Sequence, residues 1–543
     1  MRGFRPLLGV CCAVVLTGCG DDARPSTIDP NDRSATIPAD RLPPTTDAFT
    51  RTDCWFSVPF GVTVECGHVI VPEDPAAPDG TALTLAIARF FSDEEQVEDD
   101  PVVYLEGGPG GDAVATVSNL FDVFSHLLGA RDLVVFDQRG TGHSRPRLDC
   151  PELDSVTVTV GTSDTDAMLA ALAACRARLA SEGVDLDAYT SARSAADVDR
   201  VREALGYERW NLYGISYGTR LALTVLRDFP DGVRSAILDG VLPLELEIFA
   251  TAGASAQRAF ELVFALCATQ AACAGAYPDP MQQLAVTVAA MNESPAELAL
   301  EGGTLTLTGD MVLSTLFLLL YDAESIPYVP ALIDLVASGD LSLFELILSE
   351  AGEAAPVALG MYLSVICRED APFSSREALT AAASTLEPMF STFVDPLIFD
   401  ECAVWNVAAA AAIEDEAVVS AVPTLLVSGT FDPVTPPENA DLVAASLLDA
   451  EHVVLPYESH GASTCACGNA LLDRFLAAPG EPVSHPCVNA LTPRTFEVAR
   501  GQAAADPHRF ATGPLAPATL ERIAERARRR LRAPLGGLSG RAR

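Results

Sequence analysis

The segment Gly214-Ile215-Ser216-Tyr217-Gly218-Thr219 sets a serine at the centre of a G-x-S-x-G turn, the residue types a nucleophile elbow needs. The run Trp210–Ile215 before it has the short apolar character of a buried strand, and Thr219–Asp228 after it has helical spacing. Strand, tight turn and helix would project the Ser216 hydroxyl from the carboxyl end of a sheet. A helix N-terminus lies beneath it there, and its dipole favours the negative charge that develops in acyl transfer. The flanking glycines fit because side chains in so tight a turn would collide with neighbouring backbone.

A serine hydroxyl is a poor nucleophile without a base, and the chain has only seven histidines. With the acid and then the base following the nucleophile, the candidates are His452, His460, His485 and His508. His452 opens a strand and so sits at the wrong edge of the sheet; His485 and His508 lie in Pro-containing segments beyond the last clear strand. His460 falls in the loop Tyr457–Gly461, just past the strand Val453–Leu455, and is the predicted base. The orienting acid is expected at the end of the preceding strand, which makes it Asp432, with Asp239 at the end of an earlier strand as its competitor. The second oxyanion donor besides the Tyr217 amide is expected from Glu106-Gly107-Gly108-Pro109-Gly110-Gly111. Pro109 has no N–H, so Gly108 is favoured. The run lacks the G-x-G-x-x-G spacing of a dinucleotide site.

These residues need a scaffold, and the pattern supplies one. Val62–Val71 and Leu83–Phe91 read as an opening antiparallel pair. Val102–Glu106, Leu133–Asp137, Trp210–Ile215 and Ser235–Asp239 read as short buried strands, with Ala195–Leu205 and Thr219–Asp228 as helices between them. Strand–helix alternation of this kind predicts an α/β fold: a mostly parallel sheet with helices on both faces. Residues 51–244 form its first part. Residues 245–412, rich in Ala and Leu with few strand signals, are expected as an inserted helical cap. Strand signals resume in 413–490, at Thr424–Val427 and Val453–Leu455.

The ends of the chain point to a compartment. Arg2 and Arg5 precede the apolar run Leu7–Thr17 and the sequence Leu16-Thr17-Gly18-Cys19, so 1–18 reads as a signal peptide, too short to span as a helix. Its ending is similar to a bacterial lipobox, which implies lipidation of Cys19 and a cell-envelope location reached by export. Residues 19–50, rich in Asp, Pro, Ser and Thr, read as a flexible tether. Disulfides are the default in an exported protein. Among the fourteen cysteines, local pairs are expected at Cys54–Cys66, Cys150–Cys175, Cys267–Cys273 and Cys367–Cys402, with Cys487 taking Cys465 or Cys467. The Cys465-Ala466-Cys467 pair has no partner pair at zinc-ligand spacing, so no metal site is expected. Residues 491–543 form an Arg-rich tail, with eight arginines against one acid from 522 onward.

Charge excludes other classes. The net charge of −39 over 543 residues disfavours a nucleic-acid partner. Every basic residue is arginine, which removes Schiff-base chemistry, a Walker-type phosphate loop and a Ser–Lys dyad. No cofactor is expected.

Taken together, Gly107–Gly111, Asp137–Ser144, Gly214–Thr219, Gly429–Pro433 and Ser459-His460-Gly461 make the chain resemble the prolyl/tripeptidyl aminopeptidase family of α/β-hydrolases. The likeness is greatest to its tripeptidyl-aminopeptidase-like branch and runs over roughly residues 50 to 490. The resemblance implies an α/β-hydrolase fold with a cap, a serine exopeptidase activity on peptides with a free N-terminus, and Ser216, Asp432 and His460 as its triad. Glu106 stands where prolyl aminopeptidases usually have His, and Tyr217 where many have Trp, which departs from strict proline specificity. Asp137–Ser144 reads as structural, an Arg and an acid pinning a loop beneath the site. In the cap, Cys367-Arg368-Glu369-Asp370 resembles the family's Cys-x-acid segment, which makes Glu369 a candidate anchor for the substrate α-ammonium. Two other readings stand beside this one: an esterase or lipase-like hydrolase using the same triad, and a surface-binding lipoprotein with an idle hydrolase fold.

Overall fold

The computed structural model describes residues 48–153, 165–300, 303–342, 344–345, 357–483 and 485–498. The expected signal peptide, Cys19, nearly all of the tether, and the tail beyond residue 498 lie outside the described residues.

Short apolar runs such as 102–105 and 133–136 become strands buried along their whole length. β1 (Phe49–Thr52), β2 (Thr63–Pro72), β3 (Ala82–Phe91), β4 (Val102–Leu105), β5 (Leu133–Phe136), β6 (Trp210–Ile215), β7 (Val233–Asp239), β10 (Thr424–Gly429) and β11 (Ala450–Leu455) form one sheet. Its order is β1-β2-β3-β5-β4-β6-β7-β10-β11. From β5 to β11 all neighbours are parallel, and β1, β2 and β3 extend the sheet antiparallel at one edge. Alternate residues of β4 face opposite layers: Val103 and Leu105 join one hydrophobic cluster, Val102 and Tyr104 the other. Period-two alternation inside a run that is apolar throughout is what a sheet covered on both sides requires.

The connection reverses direction at β4, with β5 on one side and β6 on the other. That switch point leaves a crevice outside the carboxyl ends of β4 and β6, where an open α/β sheet binds its ligand. Leu105 pairs with Gly214 at that edge, so the glycine loop after β4 and the serine turn after β6 lie side by side.

Between β7 and β10 the chain runs through helices including Ile248–Thr269, Pro280–Glu293, Gly309–Leu319, Val329–Ala337, Leu359–Glu369 and Ile398–Trp405. Phe260, Leu313, Leu316, Leu332 and Phe390 give this insertion a core of its own. Three differences from the sequence pattern stand out. A hairpin, β8 (Ala296–Leu300) with β9 (Gly303–Leu307), lies within the insertion. Met361, Leu363, Val365 and Trp405 pack with Leu179, Tyr189 and Tyr217 in the main core, so the last stretch of the expected cap is built into the α/β body. β1 begins at Phe49, inside the expected tether, because Phe49 has a buried slot against Gly67.

The expected tail also begins later than 491. Arg494 pairs with Glu324 at 2.7 Å and with Glu458, and Phe496 is buried, so residues 491–498 pack onto the insertion. Five disulfides close local loops: Cys54–Cys66, Cys150–Cys175, Cys267–Cys273, Cys367–Cys402 and Cys467–Cys487. Cys465 is the free thiol among the described residues. No helix among the described residues is long and apolar enough to cross a membrane.

Candidate active site

The turn at Ser216 is forced by its neighbours. Ser216 has φ +60°, a conformation that costs a non-glycine residue energy and persists only where the surroundings impose it. A Cβ at Gly214 would stand 2.4 Å from the Gly218 carbonyl oxygen, and one at Gly218 would stand 2.0 Å from that of Leu105. The helix Tyr217–Asp228 therefore starts directly against the end of β4, and its first ten residues are all buried. Gly108, Pro109, Ser216 and Tyr217 line one pocket, which brings the two expected oxyanion donors to the nucleophile.

His460 and Asp432 come from the next strands along. His460 Nδ1 lies 2.9 Å from Asp432 Oδ2, with the carboxylate fully buried. Asp432 Oδ1 accepts the N–H groups of Val434 at 2.9 Å and Thr435 at 2.8 Å. Burial alone would raise this carboxyl, yet the His460 contact and the backbone donors hold it below the usual carboxylate range. The ring of Tyr321, from the insertion, meets His460 edge-on at 5.0 Å between centroids.

The serine and histidine turns are joined through the end of β7. Ser216 N–H donates to Asp239 O at 3.0 Å. The next residue, Gly240 with φ +62°, lies so close under the imidazole that a Cβ there would be 3.1 Å from His460 Cε1. Ser216, Asp432 and His460 thus share the carboxyl edge of the sheet. Asp239, the competing acid, is occupied elsewhere: its Oδ2 accepts the Ser463 N–H at 2.8 Å and the Ser463 hydroxyl, three residues beyond His460. Burial pushes its carboxyl up to about 6.

Glu369 departs from the role expected for it. It is 1% exposed, does not line the pocket over Ser216, and is occupied elsewhere. Its Oε1 accepts the Ser191 N–H at 2.6 Å, its Oε2 accepts the Ser191 hydroxyl, and the Arg220 guanidinium lies 3.6 Å away. The ammonium-anchor assignment is corrected on that ground, since a carboxylate sealed between two helices cannot meet a substrate amine.

Three contributors were not picked out from the sequence. Thr435 donates to Asp432 Oδ2 at 2.8 Å and lies 3.0 Å from His460 Nδ1. Its i+3 spacing from an Asp in a Pro-rich turn is a side-chain–backbone turn signal that could have marked it. Gly240 and Ser463 carry no comparable signal. Arg139 makes the structural pin expected of its segment, donating from Nε and Nη2 to the two carboxylate oxygens of Asp197 at 2.7 Å. Glu106 turns under the glycine loop to accept the Gly107 N–H at 2.9 Å, and burial pushes its carboxyl up to about 7. Among the described residues, the cluster with metal-ligand types is Cys150, Glu152 and Cys175, and its two sulfurs are already joined in a disulfide.

The pocket above Ser216 is closed by Leu242, Leu246, Ile248, Thr251, Tyr362, Ile366 and Val434, and no charged side chain is among its described lining residues. Such a site can hold an uncharged group beside Ser216 and the backbone of Gly108 and Tyr217.

Comparison with known proteins agrees with this geometry. Residues 100–276 match the α/β-hydrolase fold family model, and residues 387–487 match the model described as TAP-like protein. Tripeptidyl aminopeptidase of Streptomyces lividans is 34% identical over 214 residues, covering 36% of this chain and 39% of that protein. Serine protease Hip1 of Mycobacterium tuberculosis is 30% identical over 227 residues, covering 38% and 42% respectively. A probable proline iminopeptidase of Streptomyces coelicolor is 30% identical over 141 residues, covering 26% and 32%. The chain therefore spans about two fifths, or less, of the length of these curated relatives. The two matched segments carry the serine turn and the loops of Asp432 and His460 described above, so the chain has an α/β-hydrolase fold whose residues 387–487 are TAP-like.

Proposed function

We propose that the protein is an exported serine exopeptidase of the aminopeptidase type, held at the cell envelope by a lipid on Cys19. The observation that carries this reading is the buried Asp432–His460 pair, whose imidazole lies over Gly240, next in chain to the Asp239 that bonds the strained Ser216 turn. In the reaction, Ser216 Oγ attacks the scissile carbonyl as His460 Nε2 takes its proton. The N–H groups of Gly108 and Tyr217 hold the oxyanion. His460 then returns the proton to the leaving amine, which departs, and water attacks the acyl-enzyme by the same path in reverse. Asp432 keeps Nδ1–H pointed at itself, so that Nε2 faces the serine. The tripeptidyl aminopeptidase and serine protease names of the relatives support peptides as substrates. Five disulfides support an oxidising compartment.

The uncharged lining of the pocket favours one second reading, an esterase or lipase-like hydrolase, because an ester substrate brings no amine to be held. A tripeptidyl amide, its N-acetylated twin and a short-chain acyl ester separate the two. Cleavage of the free peptide well ahead of its acetylated twin supports the exopeptidase; equal rates on the two, with fast ester hydrolysis, overturn it.

A further inference from the structure

Glu369 and Asp370 end the helix Leu359–Glu369, where two carboxylates oppose the helix dipole. They are there with a cation. Arg220, one turn past Ser216 on the elbow helix, pairs with Asp370 at 2.7 Å and donates to the Glu369 carbonyl oxygen at 3.3 Å. It thereby caps the end of this helix while itself 1% exposed. The Glu369 carboxylate meanwhile sits at the first turn of the helix Ser191–Ala204, an electropositive end that suits an anion. From there the bonding continues: the Ser191 hydroxyl lies 2.9 Å from the Tyr217 hydroxyl. Tyr217 is the residue whose backbone N–H follows the nucleophile.

We propose that Glu369 is a positioning residue for the oxyanion site: through Ser191 it fixes Tyr217, and through Arg220 it fixes the elbow helix, so that the Tyr217 N–H keeps its aim. This inference rests on the serine-hydrolase reading and goes beyond it. The chain of hydroxyls has a direction set by charge. An ionised Glu369 accepts from Ser191, so Ser191 accepts from Tyr217 and the phenol is held as a donor. A protonated Glu369 donates to Ser191 and the order reverses. Burial pushes the Glu369 carboxyl up to about 7, so the two arrangements interchange near neutral pH. The groups facing Glu369 are Arg220 and Tyr217 on the elbow helix, Ser191 on its own helix, Asp370 next in chain, and Glu414 from the turn Ala412–Asp415. Arg368 points elsewhere, to Asp187.

The test uses the full chain and a fluorophosphonate that labels the serine irrespective of the natural substrate. Glu369→Gln and Tyr217→Phe are both made, the second leaving the backbone N–H and the buried ion pair in place. Misaiming one oxyanion donor costs less than deleting it, so labelling of Ser216 should slow about 10-fold in each variant. With a short-chain ester the loss should appear in kcat with KM little changed. The labelling rate of the wild type should change with pH between about pH 6 and 7 through an ionisation that Glu369→Gln removes. A lowered Tm with the wild-type labelling rate and pH profile overturns the proposal, leaving a structural role. A wild-type labelling rate with a collapsed preference for free over acetylated peptide also overturns it, by returning Glu369 to the substrate. If wild-type Ser216 is not labelled at all, the hydrolase reading falls and takes this one with it.

Discussion

Asp432 Oδ2 and His460 Nδ1 stand 2.9 Å apart, and the carboxylate spends its other oxygen on the N–H groups of Val434 and Thr435. With every lone pair on that side committed, the imidazole has one tautomer available, Nδ1–H toward Asp432. Asp432→Asn offers an amide N–H where the acceptor was, and so selects the opposite tautomer. Turnover should fall by about 10⁴-fold while the fold is retained. Asp239→Asn should cost far less in kcat, because the Asp239 carboxylate is committed to Ser463. Comparing kcat and Tm of the two variants decides the matter; reversed losses would move the acid to β7.

Ser216→Ala should abolish fluorophosphonate labelling and lower peptidase turnover by about 10⁴-fold or more, leaving what the oxyanion donors and binding supply. Intact-mass measurement of the labelled protein reads this directly, and persistent labelling in the variant would place the nucleophile elsewhere.

Gly240→Ala tests the contact between the end of β7 and the histidine turn. The residue has φ +62°, and the added methyl would meet Thr435 Oγ1 at 2.8 Å and His460 Cε1 at 3.1 Å. The backbone strain costs about 1 kcal/mol, and the methyl pushes the imidazole off its place. A Tm lowered by several degrees with a kcat loss exceeding tenfold is expected. Full activity would show that the histidine turn tolerates displacement.

The serine turn and the placement of His460 and Asp432 were legible because each sits at a sequence boundary that physical chemistry marks: a glycine-flanked turn after an apolar run, and loops just past short strands. The strands β4 and β5 follow from unbroken apolar runs, which a sheet covered on both faces demands. Glu369 was not legible in the same way. Its motif shows that an acid ends a cap helix, but whether that acid faces solvent, substrate or Arg220 depends on how helices from residues 191, 217 and 359 meet. No local pattern encodes such a meeting. The choice between Cys465 and Cys467 was likewise open in sequence, since both lie at workable distances from Cys487 along the chain; the start of the helix Ala466–Ala477 at Cys465 takes that thiol as its N-cap and leaves Cys467 to the bridge.

Glu106 gives a pH dependence with a definite sign. Burial raises its carboxyl to about 7 in the folded protein, above its value of about 4.3 in an unfolded chain. The folded state therefore binds the proton more tightly, and stability falls as pH rises. The contribution is fully present below the unfolded value and is lost as pH climbs through about 7. Glu106→Gln keeps an oxygen to accept the Gly107 N–H and carries no charge to desolvate. Its Tm should exceed that of the wild type by more at pH 8 than at pH 5; a constant gap across that range would mean that Glu106 titrates normally.

The pocket beside Ser216 should discriminate among acyl groups. Leu242, Leu246, Ile248, Ile366 and Val434 surround the space beside Ser216, with Tyr362 and Thr251 completing it. A carboxylate brought into that lining would lose its hydration and gain no cation, a penalty of several kcal/mol. An alanine side chain loses nothing of the kind and gains its own burial. A tripeptidyl amide ending in Ala at the scissile bond should therefore be cleaved with kcat/KM at least about 10²-fold above its Asp counterpart. Ile366→Arg should narrow that gap by supplying the missing charge, while Ser216 remains open to fluorophosphonate. Equal rates on the Ala and Asp substrates in the wild type would show that the acyl side chain points out of this pocket and that the apolar lining serves the leaving group instead.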